Sequence, residues 1–448
     1  MTGRIEVQRL PKQPGVAAWN AILPAQDAPR VLEKDSTADI AIIGGGFTGL
    51  SAARRLLQLD SSLKIALLEA GRIAEGPAGR NSGFMIDLPH DLASEDYAGH
   101  GMDADKRQTE QNRFAISFAG SAVEEYGITP EAYSPVGKTN AAASRRGENF
   151  NRAYGEHLTR MGERFEMLDA KAMREMTGVP YYSSGLFTPG TAVLQPALYI
   201  RGLAGGLSRT IALYENSPVV KMERQQDDWK LMTPKGSIRA NKVILATNGH
   251  AESFGFFSRR LMHVFTYASM TRRLSDDEVR TLGGTPIWGV TPADPMGATV
   301  RRVSGTGGDR IVVRFRFTYD PSMEVSDARL AEVSRLHEKS FMRRFAMLEN
   351  VPMEYRWAGH LCLSRNGVSA FGEVAQNMHA ACCQNGLGTA RGTLSGIAAA
   401  ELVLNKPSEL AESFLAQDAP ARLPPEPVAW IGANAYLRYR EWCAGTEC

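Results

Sequence analysis

Cysteine is scarce and unpatterned in this chain. Five of them (Cys362, Cys382, Cys383, Cys443 and Cys448) form an odd, loosely spaced set with no C-x-x-C pair, so a disulfide framework is excluded. No apolar run approaches the roughly eighteen residues that a bilayer-spanning helix needs. The opening "MTGRIEVQRLPKQPG" lacks the apolar centre of a signal peptide, and a reduced, cytoplasmic protein is the expectation. The eight histidines are scattered, with neither H-E-x-x-H nor a Cys/His ligand spacing, so no metal site is expected. There is no G-x-S-x-G turn to carry a hydrolase nucleophile. Charge of one sign is missing too: a formal net charge of +2 leaves no basic surface of the kind that nucleic acid selects. The pairs Arg145-Arg146, Arg259-Arg260 and Arg301-Arg302 are balanced by acids elsewhere.

What is present is a globular composition, 43% hydrophobic and 22% charged over 448 residues, enough for two or three domains. Near the start, "ADIAIIGGGFTGLSAARRL" carries Gly44, Gly46 and Gly49 at the G-x-G-x-x-G spacing. Ile40 to Ile43 reads as a buried parallel strand, and Leu50, Ala53, Leu56 and Leu57 share one face of a following helix. A second strand, Leu63 to Leu68, ends in Glu69, where a βαβ unit places a carboxylate for an adenosine ribose. Gly44 permits the tight turn, Gly46 lets backbone approach a pyrophosphate, and Gly49 lets helix and strand pack closely. The helix N-terminus adds free N–H groups and partial positive charge. Together these parts spell dinucleotide binding.

The choice between NAD and FAD rests on later segments. After Glu69, "AGRIAEGPAGRNSGFM" is a glycine-punctuated loop where a nicotinamide enzyme would start its next crossover helix. "NKVILATNGHAE" gives another buried strand opening into a small-residue turn, preceded by an alternating meander. Near the C-terminus, Gly386 and Gly388 open a small-residue helix whose N-terminus could stabilise negative charge at a flavin's pyrimidine edge. With these motifs, "QPALYIRGLA", "WAGHLCLSRNG" and "NGLGTARGTLSGIAAAEL" run in family order from about Ala38 to about Val403. The set resembles the D-amino-acid-oxidase-type superfamily of FAD-dependent oxidoreductases, and most of all its γ-glutamylputrescine oxidase-like branch.

The resemblance implies an α/β fold: a discontinuous Rossmann-type FAD-binding domain (residues 36–100, 196–252 and 355–410) plus an α+β substrate domain with a mixed antiparallel sheet (101–195 and 253–354). Residues 1–35 and 411–448 are expected to pack as extended arms. It implies resident, non-covalent FAD, a small-molecule amine as substrate, and O2 or another electron acceptor. The amine would pass a hydride to flavin N5, and the imine would hydrolyse. Gly44, Gly46, Phe47, Thr48 and Gly49 would meet the pyrophosphate, and Glu69 and Arg72 the adenosine end. Arg80, Asn81, Ser82, Phe84 and Met85 would border the diphosphate and flavin. Val220 and Thr247 would lie by the adenine half, and Asn385, Gly386, Leu387, Gly388 and Thr389 at the pyrimidine edge.

On the substrate side, Tyr267 and His360 are candidates for the flavin's vicinity, each equally readable as a core residue. Arg314, with Arg301, Arg302 and Arg316, could supply a carboxylate clamp, since a guanidinium suits carboxylates bidentately. Met85 is readable as a gap filler, and Cys362 as a small core residue rather than a flavin attachment point. The chain departs from the branch pattern at Asn366, Ser369, Leu387, Gln195 and Arg314-Phe315. Those changes leave flavin binding as the expectation and put γ-glutamylputrescine itself in doubt as the substrate. A sarcosine-type N-methyl amino-acid oxidoreductase and a catalytically idle flavin-binding subunit are the competing readings.

Overall fold

The computed structural model describes residues 3–90 and 101–448. The part of the expected first segment that falls in 91–100 lies outside the described residues.

Two large sheets face one another. The first has nine strands, with five parallel ones at its heart: Ala212–Tyr214, Ile65–Leu68, Ser36–Ile43, Ser237–Leu245 and Met378–Cys382. Ser36–Ile43 is buried over most of its length and β-branched, as a strand covered on both faces must be. The long Ser237–Leu245 strand pairs Ser36–Ile43 on one side. On the other it is shared between the antiparallel meander (Asp228–Met232, Lys221–Gln225, Arg4–Glu6) and Met378–Cys382. The parallel strands point the same way, so Gly44, Glu69, Ala246 and Cys383 all emerge at one edge. That edge is where open α/β sheets place ligands.

Helix Phe47–Leu59 follows the first of these strands and Ala390–Val403 the last. The two helices cross at Gly396, where a Cβ would fall 2.2 Å from the Thr48 carbonyl oxygen. Only glycine permits that approach.

The second sheet has eight strands in the order Met353–Leu363, Met262–Thr271, Arg310–Tyr319, Thr299–Val303, Trp288–Pro292, Lys138–Ala142, Ser184–Thr188 and Glu166–Asp169. All neighbours are antiparallel except Trp288–Pro292 with Lys138–Ala142. This is the mixed antiparallel sheet expected. The register of Arg310–Tyr319 shifts against Thr266 and Tyr267, and the extra residue, Arg316, has φ +74°.

The expected arms differ in kind. Arg4–Glu6 joins the nine-stranded sheet, and residues 7–15 run on extended. The C-terminal stretch is not extended, because it ends in a seventeen-residue helix, Val428–Ala444. The expected boundary at 355 also cuts through Met353–Leu363, which pairs with Met262–Thr271 along its length.

Candidate active site: a cavity between the two sheets

A cavity of about 260 Å³ lies between the sheets. On the nine-stranded side it is lined by Gly44 to Thr48, Glu69, Arg72, Val219, Thr247 and Gly386 to Ala390. On the eight-stranded side it is lined by Thr291, Thr299, Arg314, His360, Leu361 and Cys362.

The glycine turn is built for a ligand. Gly44 has φ +108°, and a Cβ there would meet the Ala246 carbonyl oxygen at 2.6 Å. Gly46 is different, because a Cβ on it would meet only Ala78 Cβ at an ordinary 3.5 Å. Nothing in the protein requires glycine there, so the space it leaves is open to a bound group. Gly46 is also the N-cap of Phe47–Leu59 and brings no side-chain cap, so that helix offers uncapped N–H groups at the cavity. The Glu69 carboxylate accepts from Gly45 N at 2.7 Å and from Gly71 N at 3.1 Å. Burial raises its pKa against those amides. An open glycine, a bare helix N-terminus and a strand-end carboxylate fit a dinucleotide cofactor's pyrophosphate and ribose. A second helix, Ala390–Val403, opens at Thr389, whose hydroxyl donates to the Phe84 carbonyl at 2.8 Å rather than capping its own helix.

Several expected cofactor residues stand elsewhere. Gly49 does not line the cavity; a Cβ on it would fall 1.9 Å from the Gly44 oxygen, so it serves helix packing. The Arg80 guanidinium is absent from the lining and donates to the carbonyls of Glu75, Pro14, Gly15 and Ala358. Burial lowers its pKa to about 10. Met85 is fully buried in the core beside Phe84, which does line the cavity. Val219, not Val220, faces it, the alternation of an extended segment being one residue out of step with expectation. Asn385 spends its side chain on the 364–368 turn, accepting from Ser364 N at 2.8 Å and donating to Val368 O at 2.9 Å. Arg72 lines the cavity while paired to Glu215 at 3.0 Å. Asn81 and Ser82 line the cavity, and Asn81 accepts from Gly83 N at 2.8 Å.

Among the substrate candidates, Tyr267 is in the sheet core. It is fully buried with Phe265, Leu330, Val333 and Ala358, its hydroxyl 2.7 Å from Thr318 Oγ1. His360 lies in the cavity wall, but its ring is engaged at 3.2 Å by His263, which itself meets Glu252 at 2.8 Å, and Phe265 stacks on it. Burial, and then the His263 and His250 charges, hold His360 well below the ordinary imidazole pKa. Arg314 does line the cavity, its guanidinium 4.8 Å from the Phe317 ring centroid. Of the other arginines, Arg301 binds the Ser82 and Leu194 carbonyls at 2.8 Å, Arg302 pairs with Asp309, and Arg316 pairs with Glu441. Cys362 lines the cavity, buried, with its thiol pKa pushed up by that burial.

Sequence reasoning missed two groups. His90, Asn112, Thr291 and Thr299 also line the cavity, Thr299 opposite Arg314 in the strand register and His90 within reach of the Arg314 charge. Burial, with the Lys138 and Arg314 charges, holds His90 well below the usual imidazole range. Burial also lowers the Lys138 ammonium pKa to about 8. The second group is the N-terminal segment, where Val7, Arg9, Leu10, Pro11 and Gln13 all line the cavity. It is tied at one end by Gln8 N to Ser253 O at 2.9 Å, and at the other by Pro14 O accepting from Ala358 N at 3.0 Å. The two prolines in "RLPKQPG" were the available signal of an extended strap.

The fold and sequence have relatives. The family described as FAD dependent oxidoreductase (DAO) matches residues 39–402. The chain is 26% identical over 411 residues to the gamma-glutamylputrescine oxidoreductase of Escherichia coli, covering 88% of this chain and 89% of that protein. It is 26% identical over 381 residues to the probable oxidoreductase OrdL of Haemophilus influenzae, covering 83% and 84%. Among solved structures, glycine oxidase from Geobacillus kaustophilus superposes with a TM-score of 0.68 at 17% identity, over 87% of this chain and 100% of that one.

Proposed function

The chain belongs to the FAD-dependent oxidoreductase (DAO) family, and on that premise we propose that it oxidises a primary or secondary amine, as an amino acid or γ-glutamylated-amine-like compound, to an imine that water then hydrolyses. The similarity to a gamma-glutamylputrescine oxidoreductase supports an amine substrate. The observation that carries the reading is the cavity itself, in which a nucleotide-type cradle at Gly44–Thr48 and Glu69 faces Arg314 across the gap between the sheets.

FAD bound in that cradle supplies the hydride acceptor. The N–H groups at the start of Phe47–Leu59 would hold its diphosphate, and Glu69 would accept from ribose hydroxyls. Gly386 to Thr389, ahead of Ala390–Val403, provide a second set of backbone donors. Attachment is non-covalent in this reading, with Cys362 a buried residue of the Met353–Leu363 strand whose thiol pKa burial pushes up. On the opposite wall Arg314 binds an acidic group of the substrate, and Lys138, whose charge like that of Arg314 reaches His90, adds to the positive potential. His90, held neutral beside those cations, can hydrogen-bond without adding charge. The nine-stranded sheet and its helices serve the cofactor, and the eight-stranded sheet serves the substrate.

The test is turnover on a panel of amines with and without a carboxylate, with the carbonyl product identified. Turnover of γ-glutamylated amines or amino acids giving longer aldehydes or keto acids supports the reading. Formaldehyde release from N-methyl amino acids assigns the sarcosine-type alternative instead, and no turnover of any amine by flavin-loaded protein contradicts the proposal.

A further inference from the structure

The C-terminal helix Val428–Ala444 is inside out for a helix bathed in water. Its outward stripe is Val428, Ile431, Gly432, Ala435, Tyr439 and Trp442, at spacings of three and four residues, with Tyr436 alongside. None of these carries a charge, and their exposures reach 60% at Val428, 59% at Tyr439 and 78% at Trp442. The charged residues turn the other way. Arg440 and Glu441 are buried, and Glu441 holds Arg316 at 2.6 Å and accepts from Phe317 N at 3.0 Å. Asn434 accepts from Tyr319 N at 3.0 Å and donates to Tyr319 O at 3.0 Å. The helix is thus bolted to the bulged Arg310–Tyr319 strand, and its apolar stripe is a fixed surface. A soluble amphipathic helix shows the opposite arrangement.

We propose that this stripe is the interface with a second copy of the same chain, packed helix against helix about a twofold axis. Charge is the first argument. A twofold contact sets each patch against itself, so a charged patch would repel its copy, and this one has no charge. The groove beside Trp442 is lined by Arg316, Arg335, Lys339, Arg343 and Arg438 as well as Glu338 and Glu441, so an anionic lipid surface is the competing occupant that the vesicle arm of the experiment tests. Shape is the second argument. Gly432 and Ala435 sit at mid-stripe, and a Cβ on Gly432 would meet nothing within 4 Å, so two helices can approach closely there, with Val428 and Ile431 at one end and Tyr439 and Trp442 at the other. Area is the third. At roughly 150–250 Å² per aromatic side chain, the exposed parts of Tyr436, Tyr439 and Trp442, with Val428 and Ile431, would bury on the order of 1,000–1,300 Å² between two copies when wholly covered. Specific interfaces need about 1,200–2,000 Å².

The experiment is the mass of the flavin-loaded protein by light scattering at about 10 μM, for the wild type and for Ile431→Asp and Trp442→Glu. The expected result is a dimer for the wild type and a monomer for both variants, with flavin content and thermal midpoint retained. A second variant, Ala435→Cys in a Cys443→Ser background, should form a disulfide-linked dimer under mild oxidation. A monomeric wild type overturns the proposal, as does a dimer that survives both charge substitutions. Sedimentation of a monomeric wild type with phosphatidylethanolamine/phosphatidylglycerol vesicles would assign the stripe to a membrane surface and likewise overturn it.

Discussion

Gly49 lies so close under Gly44 that a Cβ on it would fall 1.9 Å from the Gly44 carbonyl oxygen, whereas three residues earlier Gly46 leaves its space open. The two glycines therefore answer to different demands. Gly49→Ala should destabilise the fold by about 1–3 kcal/mol or more, since the clash is with backbone. Gly46→Ala should leave the thermal midpoint of the apoprotein within a degree or two, of the order of ~0.5 kcal/mol, and Gly46→Val should abolish flavin retention by filling the room left for the pyrophosphate. Thermal unfolding and flavin content, measured on the same preparations, separate the two. A Gly46→Val protein that stays yellow would remove the glycine turn from the cofactor site.

Arg80 was legible as a loop residue beside a cofactor, yet its guanidinium ties Glu75, Pro14, Gly15 and Ala358 together. Arg80→Ala leaves buried carbonyls unpaired and should cost about 2–4 kcal/mol. The thermal midpoint should drop equally with and without FAD. A loss confined to the loaded protein would return Arg80 to the cofactor.

The N-terminal strap should slow cofactor exchange. Between its anchors it contributes Arg9, Leu10, Pro11 and Gln13 to the cavity wall. Removing residues 1–13 should speed FAD release by about tenfold, equivalent to 1.4 kcal/mol of lost barrier, read from the return of flavin fluorescence. An unchanged release rate would make the strap mere covering.

Acid should weaken the fold through its buried imidazoles. Burial lowers both His250 and His337 to about 4, below the ~6.5 of an unfolded histidine. The native state binds these rings neutral, so their contribution to stability is full above pH 6.5 and is lost as pH falls toward 4. His337 shows why: its ring is buried, with Nδ1 2.8 Å from Ser269 Oγ and Nε2 3.2 Å from the Phe315 carbonyl, so a charged imidazolium there loses its hydration and meets the repulsion of Arg314. Stability against denaturant should fall across that window, and His337→Gln should flatten the slope. A pH-independent midpoint from 6.5 to 4.5 would contradict it.

The sequence was most legible where local pattern and tertiary role coincide. Ile40 to Ile43, the three glycines and Glu69 form one continuous βαβ unit, so spacing alone placed them, and Arg310–Tyr319 could be read directly from its alternation. Legibility failed where a side chain's direction depends on distant packing. Val219 and Val220 differ by one step of extended chain, and nothing local says which faces the cavity. Tyr267 sits on a strand that reaches the site, but the pleat turns it toward Leu330 and Val333. The Val7–Gln13 strap could be read as part of an extended arm, but its place in the cavity wall could not, because that role arises only when both sheets are in place. The C-terminal helix was missed because its apolar stripe has no partner within the chain.

The central claim, that this cavity holds FAD that takes electrons from an amine, is tested most directly by the visible spectrum of the purified protein mixed anaerobically with γ-glutamylated amines, sarcosine, D- and L-amino acids and simple alkylamines. The account predicts a yellow protein bleached by one class of these, with Arg314→Ala slowing the bleaching by carboxylate-bearing members more than by simple ones. A colourless protein that cannot be reconstituted with FAD would contradict it.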